Sequence, residues 1–95
     1  MPSAFLEITL NVTQENRPHA GAIYMKYKAA FLSDVAGARS KDLLLRPEDV
    51  QVLHGFDTIE NAENYLKTPL FQKDVVRELK PFLAGAPEIR IYECM

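Results

Sequence analysis

The sequence predicts an α+β fold of the ferredoxin-like type, a four-stranded antiparallel sheet with two helices on one face in the order βαββαβ. Alternating apolar and polar residues indicate strands near both ends and in the middle of the chain. Apolar residues three or four positions apart indicate a helix in each interval between them. A right-handed crossover in each βαβ half then brings all four strands into one sheet with both helices on the same side.

The length and composition of the chain fit one domain spanning residues 1–95. Its 47% hydrophobic and 25% charged residues are ordinary for a globular protein, which argues against intrinsic disorder. Eleven basic and 13 acidic residues leave a net charge of −2, which argues against nonspecific nucleic-acid binding because that requires a basic face. With no membrane-spanning or secretion segment in the sequence and a single cysteine, Cys94, we expect a cytoplasmic protein.

The first strand and the first helix are predicted in the N-terminal third of the chain. A strand covers residues 4–12, because apolar residues alternate with polar ones and share one face. Asn16 is suited to cap the following helix and Pro18 to occupy its first turn, where a backbone N–H has no intrahelical partner. The helix is predicted over residues 19–35, and Gly37 is suited to end it.

A hairpin follows, with strands over residues 38–45 and 50–56 joined by a four-residue turn that contains Pro47. In the second of these strands, one residue of each alternating pair belongs to the apolar face. The residues of that face are Val50, Val52, His54 and Phe56.

The second helix is predicted to start at Asp57, with Glu60 as the partner of a capping box. The dipeptide Thr68-Pro69 interrupts this helix, because proline inside a helix removes a hydrogen bond and clashes with the preceding turn. Helical spacing continues to Leu83, and the final strand covers residues 88–93.

Two helices cover only one side of a four-stranded sheet, so the other side is left open. An antiparallel sheet tolerates one face in water, but a small domain gains buried area by pairing two such faces. We therefore predict a homodimer through the open sheet face, in which Glu7 pairs with Arg90 or Arg39, since buried charges require partners. The residues predicted on this face are Phe5, Glu7, Thr9, Asn11, Leu44, Leu53, Glu88, Arg90 and Tyr92.

The whole chain resembles the dimeric α/β-barrel superfamily, and within it the antibiotic biosynthesis monooxygenase (ABM) group. The local resemblance lies in residues 54–62 (HGFDTIENA), where a strand ends in an aromatic residue and runs into a capped helix, and in residues 66–71 (LKTPLF), similar to the family's small-residue, proline, aromatic segment. The resemblance implies a homodimer with a pocket between sheet and helices in each subunit. Its members include oxygenases that oxidise polycyclic aromatic substrates without metal or flavin, and haem-degrading enzymes.

The chain departs from the family pattern at two positions. Phe56 stands where relatives commonly carry tryptophan, and Tyr65 stands where they often carry histidine. That histidine ligates iron in haem-degrading relatives, so its replacement argues against haem degradation. Asn11 stands roughly where relatives place a substrate-orienting asparagine, although alternation puts it on the face opposite Leu10.

His54 is the predicted catalytic base, because it is the only ionisable side chain on the apolar face of its strand. An imidazole takes a proton from an acidic phenol or enol near neutral pH, and the resulting carbanion reacts with oxygen. The competing interpretation is a buried histidine that a neighbouring hydroxyl or carbonyl satisfies.

Aromatic residues on the helices and at the end of the third strand are predicted to surround the same region and to bind an aromatic ligand. The competing interpretation is a packed core in which each tyrosine hydroxyl lies at the edge. The predicted substrate-binding residues are Tyr24, Tyr27, Phe56, Tyr65 and Asn11.

No metal and no cofactor are expected. His19 and His54 lie on different elements without the spacing of a metal site, and the chain has no Gly-rich phosphate loop. Three functions remain open: a cofactor-independent oxygenase acting on a small hydrophobic or aromatic compound, a non-catalytic ligand-binding or stress-related protein, and a dimerisation module without a ligand.

Overall fold

The computed structural model describes residues 2–95 and contains four strands, β1 (Ala4–Leu10), β2 (Ala38–Leu45), β3 (Val50–Phe56) and β4 (Glu88–Glu93). They form one antiparallel sheet in the order β2-β3-β1-β4. Each central strand is followed by a helical connection to an edge strand, and both connections lie on the same face. The predicted ferredoxin-like fold is confirmed.

The helices differ from the prediction mainly in the second half of the chain. Helix α1 covers Arg17–Asp34 and α2 covers Ile59–Tyr65. After a turn, a π-helix over Leu70–Val75 continues into α3 (Val76–Leu79) and a 3-10 turn over Lys80–Phe82. Within residues 2–95, no helix is both long and apolar enough to cross a membrane.

The hairpin between β2 and β3 has the predicted bounds, and its turn is held by an arginine–aspartate pair. The Arg46 side chain donates from Nε to Asp49 Oδ1 (2.7 Å) and from a terminal nitrogen to Oδ2 (2.6 Å). The backbone N–H of Arg46 also donates to the Asp49 carbonyl at 3.0 Å. This bidentate contact closes the turn from both its backbone and its side chains.

The predicted caps of both helices require correction. Thr58, not Asp57, is the N-cap of α2, because its backbone is extended (φ −142°, ψ 157°) and its Oγ1 accepts from the Asn61 N–H at 3.1 Å. Asp57 accepts instead from the Asn61 side-chain amide at 2.8 Å. Asn16 precedes α1 with a helical backbone and makes no side-chain cap, while Pro18 occupies the first turn as predicted.

The turn between α1 and β2 depends on Gly37, which has φ +78°. An added Cβ there would lie 2.2 Å from Asp57 Oδ1 and 2.4 Å from Asn61 Nδ2. The Gly37 carbonyl also accepts from the Asp57 N–H at 3.0 Å. Because glycine has no side chain, the turn between α1 and β2 lies directly against the start of α2.

The core lies between the sheet and the helices. On β1, fully buried residues alternate with half-buried ones, as predicted, although the strand ends at Leu10 and not at Val12. Phe31 of α1 fills the centre of the core, with edge-to-face contacts to His54, Phe56 and Tyr65 at ring-centroid distances of 5.1, 5.5 and 5.0 Å. One ring thus joins α1, β3 and α2.

The opposite sheet face carries a mixture of half-buried polar and apolar residues. Leu44 and Tyr92 are 40% and 45% exposed on it. Within the protomer, Arg90 forms an ion pair with Glu88. A terminal guanidinium nitrogen of Arg39 lies 3.9 Å from Asp57 Oδ2. Glu7 lies opposite Arg90 on β4 and opposite Leu53 on β3. This face is therefore the uncovered surface of the sheet within one protomer.

The cap assignment of α2 is testable by substitution. Thr58→Ala removes the acceptor for the Asn61 N–H and is expected to cost about 1 kcal/mol of unfolding free energy. In a domain of this size that corresponds to a melting temperature lower by about 4–8 °C. Thr58→Ser retains the hydroxyl and serves as the control. Equal melting temperatures for the alanine and serine variants would contradict the assignment.

Candidate functional site

A cavity of about 50 Å³ lies between the inner sheet face and the helices. One water molecule requires roughly 10–15 Å³ of such space, so the cavity has room for about three to five water molecules. Apolar side chains of β1, β3, α1 and the π-helix form most of its wall, among them Ile8, Val52, Ile23 and Phe71. The polar residues of the wall are Tyr24, Lys41 and His54.

His54 lies at the centre of the sheet and is 2% exposed. Its strand neighbours are Leu6 on β1 and Lys41 on β2, directly opposite in register. Nδ1 lies 3.0 Å from the Leu6 carbonyl oxygen. Because a carbonyl only accepts, Nδ1 carries the hydrogen and donates it, which leaves Nε2 as the unprotonated nitrogen of the neutral ring.

The surroundings of His54 keep the imidazole neutral. Burial lowers its pKa to about 3, and the positive charge of Lys41 acts in the same direction. The backbone carbonyls of Leu6 and Val52 oppose this shift without cancelling it. The competing interpretation, a buried histidine satisfied by a neighbouring carbonyl, requires a contact that His54 makes at Nδ1. His54 also lines the cavity.

Lys41 is the functional candidate that the sequence reasoning missed. It is 4% exposed, and its Nζ lies 5.3 Å from the centre of the Phe31 ring and 5.6 Å from that of Tyr24. Burial, followed by the charge of Lys28, lowers the pKa of Lys41 to about 8. The sequence does contain a signal for it: Lys41 alternates with Leu43 and Leu45 along β2, and this alternation assigns the lysine to the same face as the two leucines.

The two tyrosines predicted on α1 have different positions. Tyr24 lines the cavity, and its hydroxyl donates to the Lys41 carbonyl at 2.6 Å. Tyr27 packs against the core, and its hydroxyl bonds to the Glu78 carboxylate, which also pairs with Lys26 at 3.1 Å. Tyr27 therefore joins α1 to α3 and is not part of the cavity wall.

Tyr65 and Phe56 lie behind His54 in the aromatic cluster. Their exposures are 1% and 0%, and the Tyr65 ring centre lies 5.5 Å from that of His54. The Tyr65 hydroxyl is buried without a hydrogen-bond partner among residues 2–95, and burial raises the pKa of this phenol. Neither residue forms part of the cavity wall. Tyr65 packs against His54, and Phe56 packs against Tyr65 and Phe31.

The predicted interruption at Thr68-Pro69 lies directly before the π-helix that forms one wall of the cavity. Thr68 Oγ1 donates to the Tyr65 carbonyl at 2.7 Å and accepts from the Phe71 N–H at 3.2 Å. The π-helix that follows directs Phe71 and Val75 into the cavity wall. A π-turn widens the helix locally and frequently accompanies functional sites.

Asn11 lies away from the cavity. It is exposed and lines a separate surface depression with Thr9 and Glu88, which belong to the open sheet face. Its backbone carbonyl accepts from the Ala84 N–H at 2.8 Å. The alternation that assigned Asn11 to this face agrees with its position, and its role as a substrate-binding residue stays a prediction.

The site offers no cluster of metal ligands. Within residues 2–95, no three His, Cys, Asp or Glu side chains lie close enough together to hold a metal ion. His19 is exposed and stacks on Phe82, with the ring centres 4.7 Å apart. The chemistry of the cavity is therefore that of an imidazole, an ammonium group and a phenol in apolar surroundings.

Comparisons with known proteins establish the fold. No family model matches the sequence, and no curated protein matches it. A solved structure from Caulobacter crescentus, named as a candidate antibiotic biosynthesis monooxygenase, has 18% identity and a TM-score of 0.82, covering 97% of this chain and 89% of its own. A similarly named structure from Bordetella bronchiseptica has 14% identity and a TM-score of 0.82, covering 98% of each chain.

A third similar structure is a dimeric protein of unknown function with a ferredoxin-like fold from Bacteroides fragilis. It has 12% identity and a TM-score of 0.74, covering 95% of this chain and 94% of its own. At such identities the likeness concerns the fold alone. The chain has the ferredoxin-like fold shared by these proteins and by structures named for the ABM group, in agreement with the resemblance found in its sequence.

Proposed function

We propose that this chain is an ABM-type monooxygenase that oxidises a small hydrophobic or aromatic compound in the cavity without a cofactor. The observation that carries this proposal is the fixed orientation of His54. Its Nδ1–H bonds to the Leu6 carbonyl, so the basic Nε2 is free in a residue that lines a mostly apolar cavity. A positioned, neutral imidazole is the group that general-base catalysis requires.

The proposed reaction starts with proton transfer from an activated carbon, as in an anthrone, to His54 Nε2. The resulting carbanion gives its electrons to O₂, a carbon–oxygen bond forms, and the peroxide loses water. One oxygen atom remains as a carbonyl and the other leaves as water, so a CH₂ group and O₂ become C=O and H₂O. Tyr24 contributes to the wall that would orient the aromatic ring of the ligand. Phe31 and Tyr65 pack against the imidazole, and Phe56 packs against Tyr65.

A second candidate is a non-catalytic protein that holds the same class of compound. The observation that favours it is the pKa of His54, about 3, because a base this weak accepts a proton only when the ligand lowers the energetic cost of imidazolium. The two candidates share the cavity and the ligand class. They differ in whether oxygen is consumed.

We further infer that the protein is a homodimer through the open sheet face. Leu44 and Tyr92 are exposed there, and Phe5 and Leu53 are half-buried. Paired with a second copy, this surface would bury apolar area that one small domain leaves in water. The Bacteroides fragilis structure, which has the same fold, is described as dimeric, and this supports a dimeric state for the chain.

The proposed setting is the cytoplasm. The single cysteine, Cys94, is exposed and unpaired with any other cysteine of the chain. A reducing compartment suits a protein whose stability does not depend on disulfides.

The role of His54 is testable by oxygen consumption with an anthrone-type compound. His54→Asn retains a donor for the Leu6 carbonyl but removes Nε2, and it is expected to lower turnover about 100-fold or more. His19→Asn alters the exposed histidine outside the cavity and is expected to leave turnover unchanged. Unchanged turnover in His54→Asn would refute the assigned base. Binding without turnover by the unmodified protein would favour the second candidate.

The neutral state of His54 has a measurable effect on stability. Its pKa is about 3 when folded against an ordinary 6.5, so between these values the unfolded chain binds a proton that the folded chain does not. Unfolding free energy therefore rises with pH across this window, by up to about 1.4 kcal/mol per pH unit from this residue. Urea unfolding from pH 4 to pH 7 should show a weaker pH dependence for His54→Phe. The same dependence in both proteins would contradict a neutral, buried imidazole.

The proposed dimer is testable by sedimentation. Leu53→Lys introduces a charge at the middle of the open face, where its cross-strand neighbours Glu7 and Asp42 accommodate it in the monomer. Burial of that charge in a dimer is costly, so the variant should sediment at 10.8 kDa and the unmodified protein at about twice that mass. Met25→Lys, at a 67% exposed position on α1, should remain dimeric. A monomeric unmodified protein would refute the dimer.

A further inference from the structure

Lys41 differs from every other lysine in residues 2–95, because it is the one that is buried. Buried charges in proteins are normally paired with an opposite charge, since an isolated ion loses its hydration. No carboxylate of these residues lies within 4.0 Å of its ammonium group. Lys41 is therefore buried to the extent expected of a lysine in an ion pair, but it has no carboxylate partner.

The aromatic rings around Lys41 compensate it only in part. The faces of Phe31 and Tyr24 attract the ammonium group at 5.3 and 5.6 Å. The Tyr24 hydroxyl, however, donates to the backbone carbonyl of Lys41, and Lys28 lies over the same ring at 5.5 Å. The cavity wall to which Lys41 belongs contains no Asp or Glu, so the three N–H donors of Nζ have no anionic partner in it.

The position of Lys41 places its charge beside the proposed base. Lys41 and His54 are directly opposite on β2 and β3, and both line the cavity. A neutral ligand would leave the ammonium group without an acceptor, and a ligand with two negative charges would leave one of them in apolar surroundings. A single anionic oxygen group satisfies the site.

We propose that Lys41 binds the anionic oxygen of the ligand, and that the protein therefore takes compact aromatic or hydrophobic compounds that carry one ionised acidic group. This inference rests on the proposed function and defines its substrate class as an aromatic monoanion, such as an enolate, a phenolate or a carboxylate. In the proposed reaction, the single anionic group is the enolate oxygen that forms when His54 removes a proton, so the site holds one negative charge at a time. The lysine would also lower the cost of the imidazolium by holding that negative charge nearby.

The test compares two probes of the same shape, benzoate and benzamide, by isothermal calorimetry or by NMR titration at pH 7. The unmodified protein should bind benzoate about tenfold or more tightly than benzamide, because only the carboxylate forms a charge-assisted hydrogen bond with Nζ. Lys41→Met removes the charge and keeps an unbranched side chain of similar length. It should abolish the preference for benzoate and leave the affinity for benzamide within about twofold.

Lys28→Met is the matched control, because Lys28 also lies over the Tyr24 ring, at 5.5 Å, and does not line the cavity. It should retain the preference for benzoate. Lys41→Met should also melt at the same or a higher temperature than the unmodified protein, since it removes an unpaired buried charge. A lysine with a merely structural role would give a lower melting temperature and no change in probe preference.

The outcomes separate the two proposals. Equal affinity of the unmodified protein for benzoate and benzamide, or an unchanged preference in Lys41→Met, would overturn the anion-binding role and leave the hydrophobic site in place. Binding of neither probe would overturn both the anion-binding role and the proposed use of the cavity. Anion preference without oxygen consumption would support Lys41 and favour the non-catalytic candidate.

Discussion

The hydrogen bond from His54 Nδ1 to the Leu6 carbonyl is the interaction on which the site depends. It crosses from β3 to β1 at the centre of the sheet, where the two strands are held in register on both sides. By fixing which nitrogen carries the hydrogen, it sets the direction of the ring and leaves the other nitrogen basic. A carbonyl of the sheet itself thus performs the orienting role that a carboxylate performs in many catalytic sites.

A carbonyl and a carboxylate have different electrostatic effects on the ring. A carboxylate would stabilise imidazolium and raise the pKa of His54, whereas a neutral carbonyl leaves desolvation dominant. Lys41 adds a positive charge on the neighbouring strand and lowers the pKa further. The cavity therefore holds a neutral base beside a cation, and the proposed anion would balance the charge of that cation. Under the proposed function, this fixed polarity would stabilise negative charge as it develops.

The sequence predicted the parts of this structure that depend on local pattern. Strands β2 and β3 have the predicted bounds because their alternation and their Pro-containing turn are both local signals. The cap of α2 was misplaced by one residue, since Asp57 and Thr58 are both good cap residues and only the backbone angles distinguish them. The site was predicted less completely. Tyr24 and Tyr27 are three positions apart on one helical stripe, and which of them lines the cavity depends on how α1 is rotated on the sheet.

The difference between local sequence pattern and tertiary packing also explains why His54 was predicted as a site residue and Lys41 was not. His54 interrupts an apolar alternation and is conspicuous, whereas a lysine on an edge strand is ordinarily a solvated residue. Lys41 becomes buried only because Phe31 and Tyr24 of α1 extend over β2, which is a property of the packed structure. The buried Lys41 and the Tyr65 hydroxyl, which has no hydrogen-bond partner among residues 2–95, oppose folding, and a domain this small has little apolar area to offset them. Sheet-to-sheet pairing adds buried area at a distance from the cavity, so the proposed dimer would allow the inner face to keep its polar site while the outer face supplies the missing stability.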